Sequence, residues 1–229
     1  MRMYIGIAAT VLGGAIAVGA AGTALAHAST ASPLLRATVS GVADTPQGQR
    51  PHAFLELATW PDSMAGPHGT DGGAHPSWVT YGPSTNLSVP EHSLVTVTIK
   101  QYDTGDLITN PYFAQVHGTV DGNETVDGKA VPGVDPAHVG HTFTVHSQVT
   151  DQDPLFVSVP LPAVADDAPN LANGYPAPHV ITFSFMTGGP GHYVFQCEYP
   201  CGDGTYAKFG RPMSTMGYMD GTLTVSGTA

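Results

Sequence analysis

From Asn86 onward the chain alternates apolar and polar residues in short runs, each bounded by Gly, Pro, Asn or Asp. Leu94–Tyr102 (LVTVTIKQY), Val139–His146 (VGHTFTVH), His179–Met186 (HVITFSFM), His192–Cys197 (HYVFQC) and the GTLTV run from Gly221 carry it most clearly. A period of two with β-branched and aromatic residues predicts half-buried strands. Phe113–Val120 and Leu155–Val159 read as further short strands, with a polar turn region, DGNETVDGKAVPGVDP, between them. Upstream, Leu34–Val42 reads as a strand, and so does His52–Trp60, which places Phe54, Leu55 and Leu57 near the core; Pro61–Ser84 reads as a long loop rich in Gly, Pro and His. No stretch of the mature chain holds a helical period. Eight or nine short strands at regular spacing predict an all-β sandwich or barrel.

Composition supports many turns. The chain has 28 Gly and 20 Pro in 229 residues, and only 11% of its residues are charged. The formal net charge is −11, which disfavours nucleic acid and anionic membrane surfaces as partners. The same acidity suits a cationic protein partner.

Residues 1–26 have the form of a secretory leader: Arg2, an apolar Ala/Gly/Val/Ile run, then Ala24-Leu25-Ala26 as a cleavage site. An uncleaved leader would be the chain's one route to a membrane. Its removal takes away one arginine and no acid, so the mature chain is more acidic still. The expected organisation is a leader over 1–26, an extension over 27–84 with one or two strands and a Gly/Pro/His-rich loop, and a β domain over 85–229. Export puts the protein in an oxidising, extracytoplasmic compartment, where a free thiol needs a reason to exist.

Both cysteines, Cys197 and Cys201, fall between the HYVFQC strand and the GTLTV strand, with Met213, Met216 and Met219 in the same interval. Thiols and thioethers therefore project from a Gly/Pro-rich loop held by two strands. Thiolate, imidazole and thioether together form the donor set that copper prefers. There is no GxSxG, HExxH or P-loop, and no acid is framed by an obvious partner, which disfavours a hydrolase; an electron carrier or binding protein is expected rather than a catalyst.

The order strand, Cys, loop, Met, final strand, with the HTF strand at His141-Thr142-Phe143 upstream, resembles the copper loop of the cupredoxins. The Cys197-x-x-x-Cys201-Gly202 spacing is similar to that of cytochrome c oxidase subunit II, and the combination of HTFTV, PCG, GRPM and GYMDGTLTV resembles a group of secreted bacterial cupredoxin-like proteins. The resemblance spans roughly Asn86–Val225. It implies a Greek-key β-sandwich, copper as cofactor, one-electron transfer with a redox partner protein, and a metal site drawn from His141, Cys197 and Met213, then Cys201 and Met216. The chain departs from the family in one respect: no histidine follows His192, and Thr205 stands where the subunit II pattern has one. Cys201 as a second thiolate, or one of His117, His138, His146 and His192, would have to replace it. His146 is oddly spaced from His141, and His192 from Cys197, so both face away on their strands.

Other readings stand beside this one. Two cysteines in an exported protein commonly form a disulfide, and a Cys197–Cys201 bond would leave a metal-free binding or structural module. Copper storage or delivery by Met and His is a third reading. Cleavage after Ala26 would expose His27, whose amine and imidazole can chelate copper as in some oxidases. His68 and His75, flanked by Gly, lie in a loop that reads as solvated.

Overall fold

Strands dominate the computed structural model, which describes residues 32–66, 69, 77–105, 110–202 and 207–227. The leader, His27, His68, His75 and Thr205 lie outside the described residues. All the strands belong to one compact unit that begins at Ser32. Among the described residues no helix is long and apolar enough to cross a membrane.

Among those residues thirteen strands build two mixed sheets: β1 (Leu34–Arg36), β2 (Thr38–Thr45), β3 (Gly48–Trp60), β4 (Thr80–Gly82), β5 (Asn86–Pro90), β6 (Leu94–Gln101), β7 (Glu124–Val126), β8 (Lys129–Val131), β9 (Val139–His146), β10 (Phe156–Pro162), β11 (His179–Met186), β12 (Gly191–Gln196) and β13 (Asp220–Ser226). The first sheet runs β1-β5-β13-β12-β9-β10; the second runs β2-β3-β6-β11-β7-β8, with β4 on β3. β1 with β5, β5 with β13 and β3 with β6 are parallel pairs; the rest are antiparallel.

The alternation seen in the sequence decides which side chains meet. Val95, Val97 and Ile99 of β6 and Ile181, Phe183 and Phe185 of β11 are buried from one sheet. Phe143 and Val145 of β9, Tyr193 and Phe195 of β12, and Leu223 and Val225 of β13 are buried from the other. Phe143 packs on Phe183 with ring centroids 5.1 Å apart and on Phe195 at 5.0 Å; Tyr81 meets Phe195 edge-on at 5.0 Å. The Phe143–Phe183 and Tyr81–Phe195 contacts join the layers, and truncating a ring such as Phe143 to Ala would cost about 3–5 kcal/mol.

Four of the segments read from the sequence differ from expectation. Leu34–Val42 divides between β1 and β2, which belong to different sheets, and at the crossing the Ala37 amide donates to Ser88 O. Part of Phe113–Val120 is a 3-10 turn over Pro111–Ala114, because Asn110 caps it through the Tyr112 amide and Pro111 fits its first position. The expected polar turn region holds the hairpin β7–β8, closed at Asp127 and Gly128, whose φ values of 49° and 82° suit a tight hairpin turn. β10 is longer than expected and carries Pro160 and Pro162, which an edge strand tolerates.

Candidate metal centre

β9 and β12 lie side by side, with Val145 opposite Phe195 and Thr144 opposite Gln196. His141 shares the inward parity of Phe143 and Val145, and Cys197 that of Tyr193 and Phe195. The two side chains thus continue the core alternation to one end of the sandwich. The Cys197 amide donates to Met219 O at 2.8 Å, which ties the start of the loop to its return.

Within the loop, the Cys201 amide donates to Tyr199 O and the Gly202 amide to Lys208 O, each at 2.8 Å. A Cβ on Gly202 would stand 2.3 Å from Gly210 O and 3.0 Å from Met213 Cγ, so only glycine lets the loop close this tightly. A 3-10 turn over Arg211–Met213 then seats the Met213 side chain inward, 3% exposed.

The outcome is a compact donor cluster. Cys197 Sγ lies 3.5 Å from Cys201 Sγ and 3.8 Å from His141 Nδ1, and Cys201 Sγ lies 3.0 Å from Met213 Sδ. The ligand atoms of His141, Cys197 and Cys201 all fall within 4.8 Å of one another. Donors arranged tetrahedrally around one ion at bonds of 2.0–2.3 Å stand roughly 3.3–3.8 Å apart, so these residues fit a metal. The cysteines are free thiols, and their sulfur separation far exceeds the roughly 2.05 Å of a disulfide.

Electrostatics favour a thiolate–imidazolium pair of Cys197 and His141 in the metal-free cluster. Burial alone would raise the Cys197 thiol, but hydrogen bonds from Cys201 and His141, the His141 charge and the Thr142 amide together hold it well below its ordinary range. Thr142 N–H reaches Cys197 Sγ at 3.4 Å. Burial would lower His141, yet its hydrogen bond to Asp103 and its contact with Cys197 push it up to about 9. Cys201 is raised well above the usual thiol range, first by burial and then by the neighbouring Cys197. Burial raises Tyr81 as well, reinforced by both cysteines; its hydroxyl donates to Thr142 O at 2.8 Å.

Of the five residues singled out from the sequence, His141, Cys197, Cys201 and Met213 converge here. Met216 does not join them: it is 63% exposed and bridges to Asp220. The four histidines weighed as replacements are engaged elsewhere. His146 faces Glu198 at 3.8 Å, His192 bonds Thr224 at 3.2 Å, His138 faces Asp135 at 3.5 Å, and His117 stacks on Tyr112 with centroids 4.2 Å apart.

Two residues escaped the sequence reading. Asp103 Oδ2 accepts from His141 Nε2 at 2.9 Å, and Gln101, fully buried, bonds the backbone of Asp103. The signal was present: carrying the inward parity of Val95, Val97 and Ile99 two steps further reaches 101 and 103. Asp103 and Cys201 both line two concavities that open to solvent, one of about 180 Å³ beside Asp166 and Lys208, the other of about 420 Å³ beside Trp78 and Arg211. A larger groove, about 880 Å³ beside Trp60 and Lys100 on β3 and β6, shares no lining residue with the sulfur cluster.

No family model and no curated protein sequence matches the chain. Among solved structures it is similar to rusticyanin from Thiobacillus ferrooxidans, at 14% identity and a TM-score of 0.36 over 76% of this chain and 77% of that one. It is similar to auracyanin B at 16% identity and a TM-score of 0.30, over 81% of this chain and 96% of that one. It is also similar to a multicopper oxidase at 12% identity and a TM-score of 0.28, over 76% of this chain and 44% of that one. At such scores these are broad likenesses, and they locate no residue of the site.

Proposed function

We propose that the protein is an exported, cupredoxin-like copper-binding protein that passes single electrons to a partner. The observation that carries this reading is the meeting of His141 Nδ1, Cys197 Sγ, Cys201 Sγ and Met213 Sδ in one buried cluster at the end of the sandwich. A copper ion held by these donors would supply a one-electron couple. In this reading Cys201 takes the place of the loop histidine that the chain lacks.

The residues around the donors do the rest. Cys197, with its thiol held low, offers a thiolate without an external base. The Thr142 amide on its sulfur restrains that thiolate, and Met213 brings a weak soft donor from the far side of the loop. β9 and β12 hold His141 and Cys197 rigidly, so one geometry serves both oxidation states. The leader over residues 1–26 supports export, and the net charge of −11 supports a cationic redox partner.

The visible absorption spectrum tests this. Purified protein, mildly reduced and given one equivalent of Cu(II), is expected to develop an intense thiolate-to-copper band that disappears in Cys197→Ser. A colourless protein that leaves the copper in solution overturns the reading. Titration of the unreduced protein for free thiols separates the disulfide-closed module: that module has no free thiol, the copper site has two.

One observation favours a second reading, copper storage or delivery. Cys201 is half-buried and lines both solvent openings, so the cluster has a route by which an ion enters and leaves. Tight Cu(I) binding without a reversible redox couple would decide for it.

A further inference from the structure

The His141 ring, 1% exposed, is held from both sides. Nδ1 faces Cys197 Sγ, and Nε2–H donates to the Asp103 carboxylate at 2.9 Å. Asp103 is itself pinned: its Oδ1 accepts from the Thr104 amide at 2.9 Å, and its carbonyl accepts from Val164 N–H at 2.9 Å and Gln101 Nε2 at 3.1 Å. The Gln101 side-chain oxygen accepts from the Asp103 amide at 3.2 Å and from the Thr59 hydroxyl. Gly140, beside His141, leaves room for this amide, since a Cβ there would stand 2.4 Å from Gln101 Nε2. A polar chain thus runs from Thr59 on β3 through Gln101 on β6 and Asp103 to His141 on β9, ending at Cys197. Burying such groups is costly unless each is bonded, and here each link is.

We propose that Asp103 is the positioning residue of the metal centre. Its carboxylate fixes the imidazole so that Nδ1 alone faces the sulfurs, and its negative charge favours the more highly charged state of the bound ion. The inference rests on the copper reading. Orientation follows from geometry: a carboxylate only accepts, so Nε2 carries the proton and the lone pair is left to Nδ1. The oxidation-state preference follows from Coulomb's law, because Cu(II) carries one more positive charge than Cu(I).

The test compares wild type, Asp103→Asn, Asp103→Ala and, as a control, Asp166→Asn, a carboxylate of the same opening. Asn removes the charge and keeps an acceptor; Ala removes both. In the copper-loaded protein both Asp103 variants are expected to raise the midpoint potential by at least tenfold in the Cu(II) to Cu(I) affinity ratio, about 59 mV. Asp166→Asn is expected to leave it unmoved. In the metal-free protein, solvent exchange of the His141 Nε2–H, read by nitrogen-15 NMR, is expected to be at least tenfold faster in Asp103→Ala than in wild type. An unchanged potential in Asp103→Asn, an equal shift in Asp166→Asn, or unchanged exchange in Asp103→Ala overturns the proposal. If wild type takes up no copper, the copper reading fails by itself, and the exchange measurement still decides whether Asp103 holds His141. If Asp103→Ala does not fold, the potential of Asp103→Asn decides.

Discussion

His141 Nδ1 and Cys197 Sγ, 56 positions apart in sequence, stand 3.8 Å apart at the buried end of two neighbouring strands. In the metal-free protein the ring is held as an imidazolium, with Nδ1–H donating to the Cys197 thiolate, and a metal that displaces this proton meets the freed Nδ1 lone pair and the sulfur together. Cys201, 3.5 Å from the same sulfur, stands where a third donor belongs.

Cys201→His therefore supplies the imidazole that the loop lacks. It is expected to give a two-histidine, one-thiolate site with Met213 as the weak fourth donor, and a more intense blue absorption than wild type. Cys201→Ser is expected to keep a weaker thiolate band from Cys197, and Cys197→Ser to lose the band entirely. Absorption spectra after one equivalent of Cu(II) check the series. A Cys197→Ser protein as coloured as wild type would place the thiolate elsewhere.

Met213 and Met216 make opposite predictions. Met213, buried with its sulfur 3.0 Å from Cys201, contributes a soft donor; Met213→Leu should weaken Cu(I) binding about tenfold or more, roughly 1.4 kcal/mol. Leucine nearly conserves the volume, so thermal stability should fall by less than about 1.5 kcal/mol. Met216→Leu, at an exposed rim position, should change neither. Competition against a chromophoric Cu(I) chelator, with a melting curve for each variant, measures both effects.

Gly202→Ala strikes the backbone at Gly210 and Lys208 and the Met213 side chain together. The loop would have to open by about an ångström or more to admit the methyl group, carrying Met213 and Cys201 apart. Copper affinity should drop at least about tenfold, while the strand signature in the far ultraviolet stays that of wild type, because the clash lies outside the sheets. Retained affinity would mean that the loop is not tight in solution.

Glu124 sets an alkaline limit on stability. Its carboxyl is 1% exposed, neither side-chain oxygen has a hydrogen-bond partner, and burial pushes its pKa up to about 8 from an ordinary 4.5. The folded protein then holds a proton that the unfolded chain has released, so stability is full below about pH 4.5 and falls as pH rises toward 8. Asp220, raised by burial to about 6, adds a smaller loss of the same sign. Glu124→Gln should flatten most of this decline and stabilise the fold at pH 8 by a few kcal/mol, to order of magnitude. Denaturant unfolding of both proteins between pH 5 and 9 measures it; parallel curves would show that Glu124 finds a partner.

The alternation of LVTVTIKQY, HVITFSFM, HYVFQC and GTLTV determined that these segments are strands and which of their residues face inward, because a period of two leaves each side chain one face to choose. It also set His146 on the opposite face from His141 and His192 on the opposite face from Cys197. Tertiary structure alone decided the rest. A local pattern carries no information on which strand lies beside which, so the pairing of β9 with β12 that joins His141 to Cys197 had to come from packing. Nor does it tell an inward methionine from an outward one within an irregular loop: Met213 is buried by the turn at Arg211–Met213 and by Gly202, while Met216, three residues on, is left in solvent. Asp103 and Gln101 lie at and just past the end of β6, and their part in the site exists only because the second sheet ends opposite His141, close enough for a carboxylate to reach its ring.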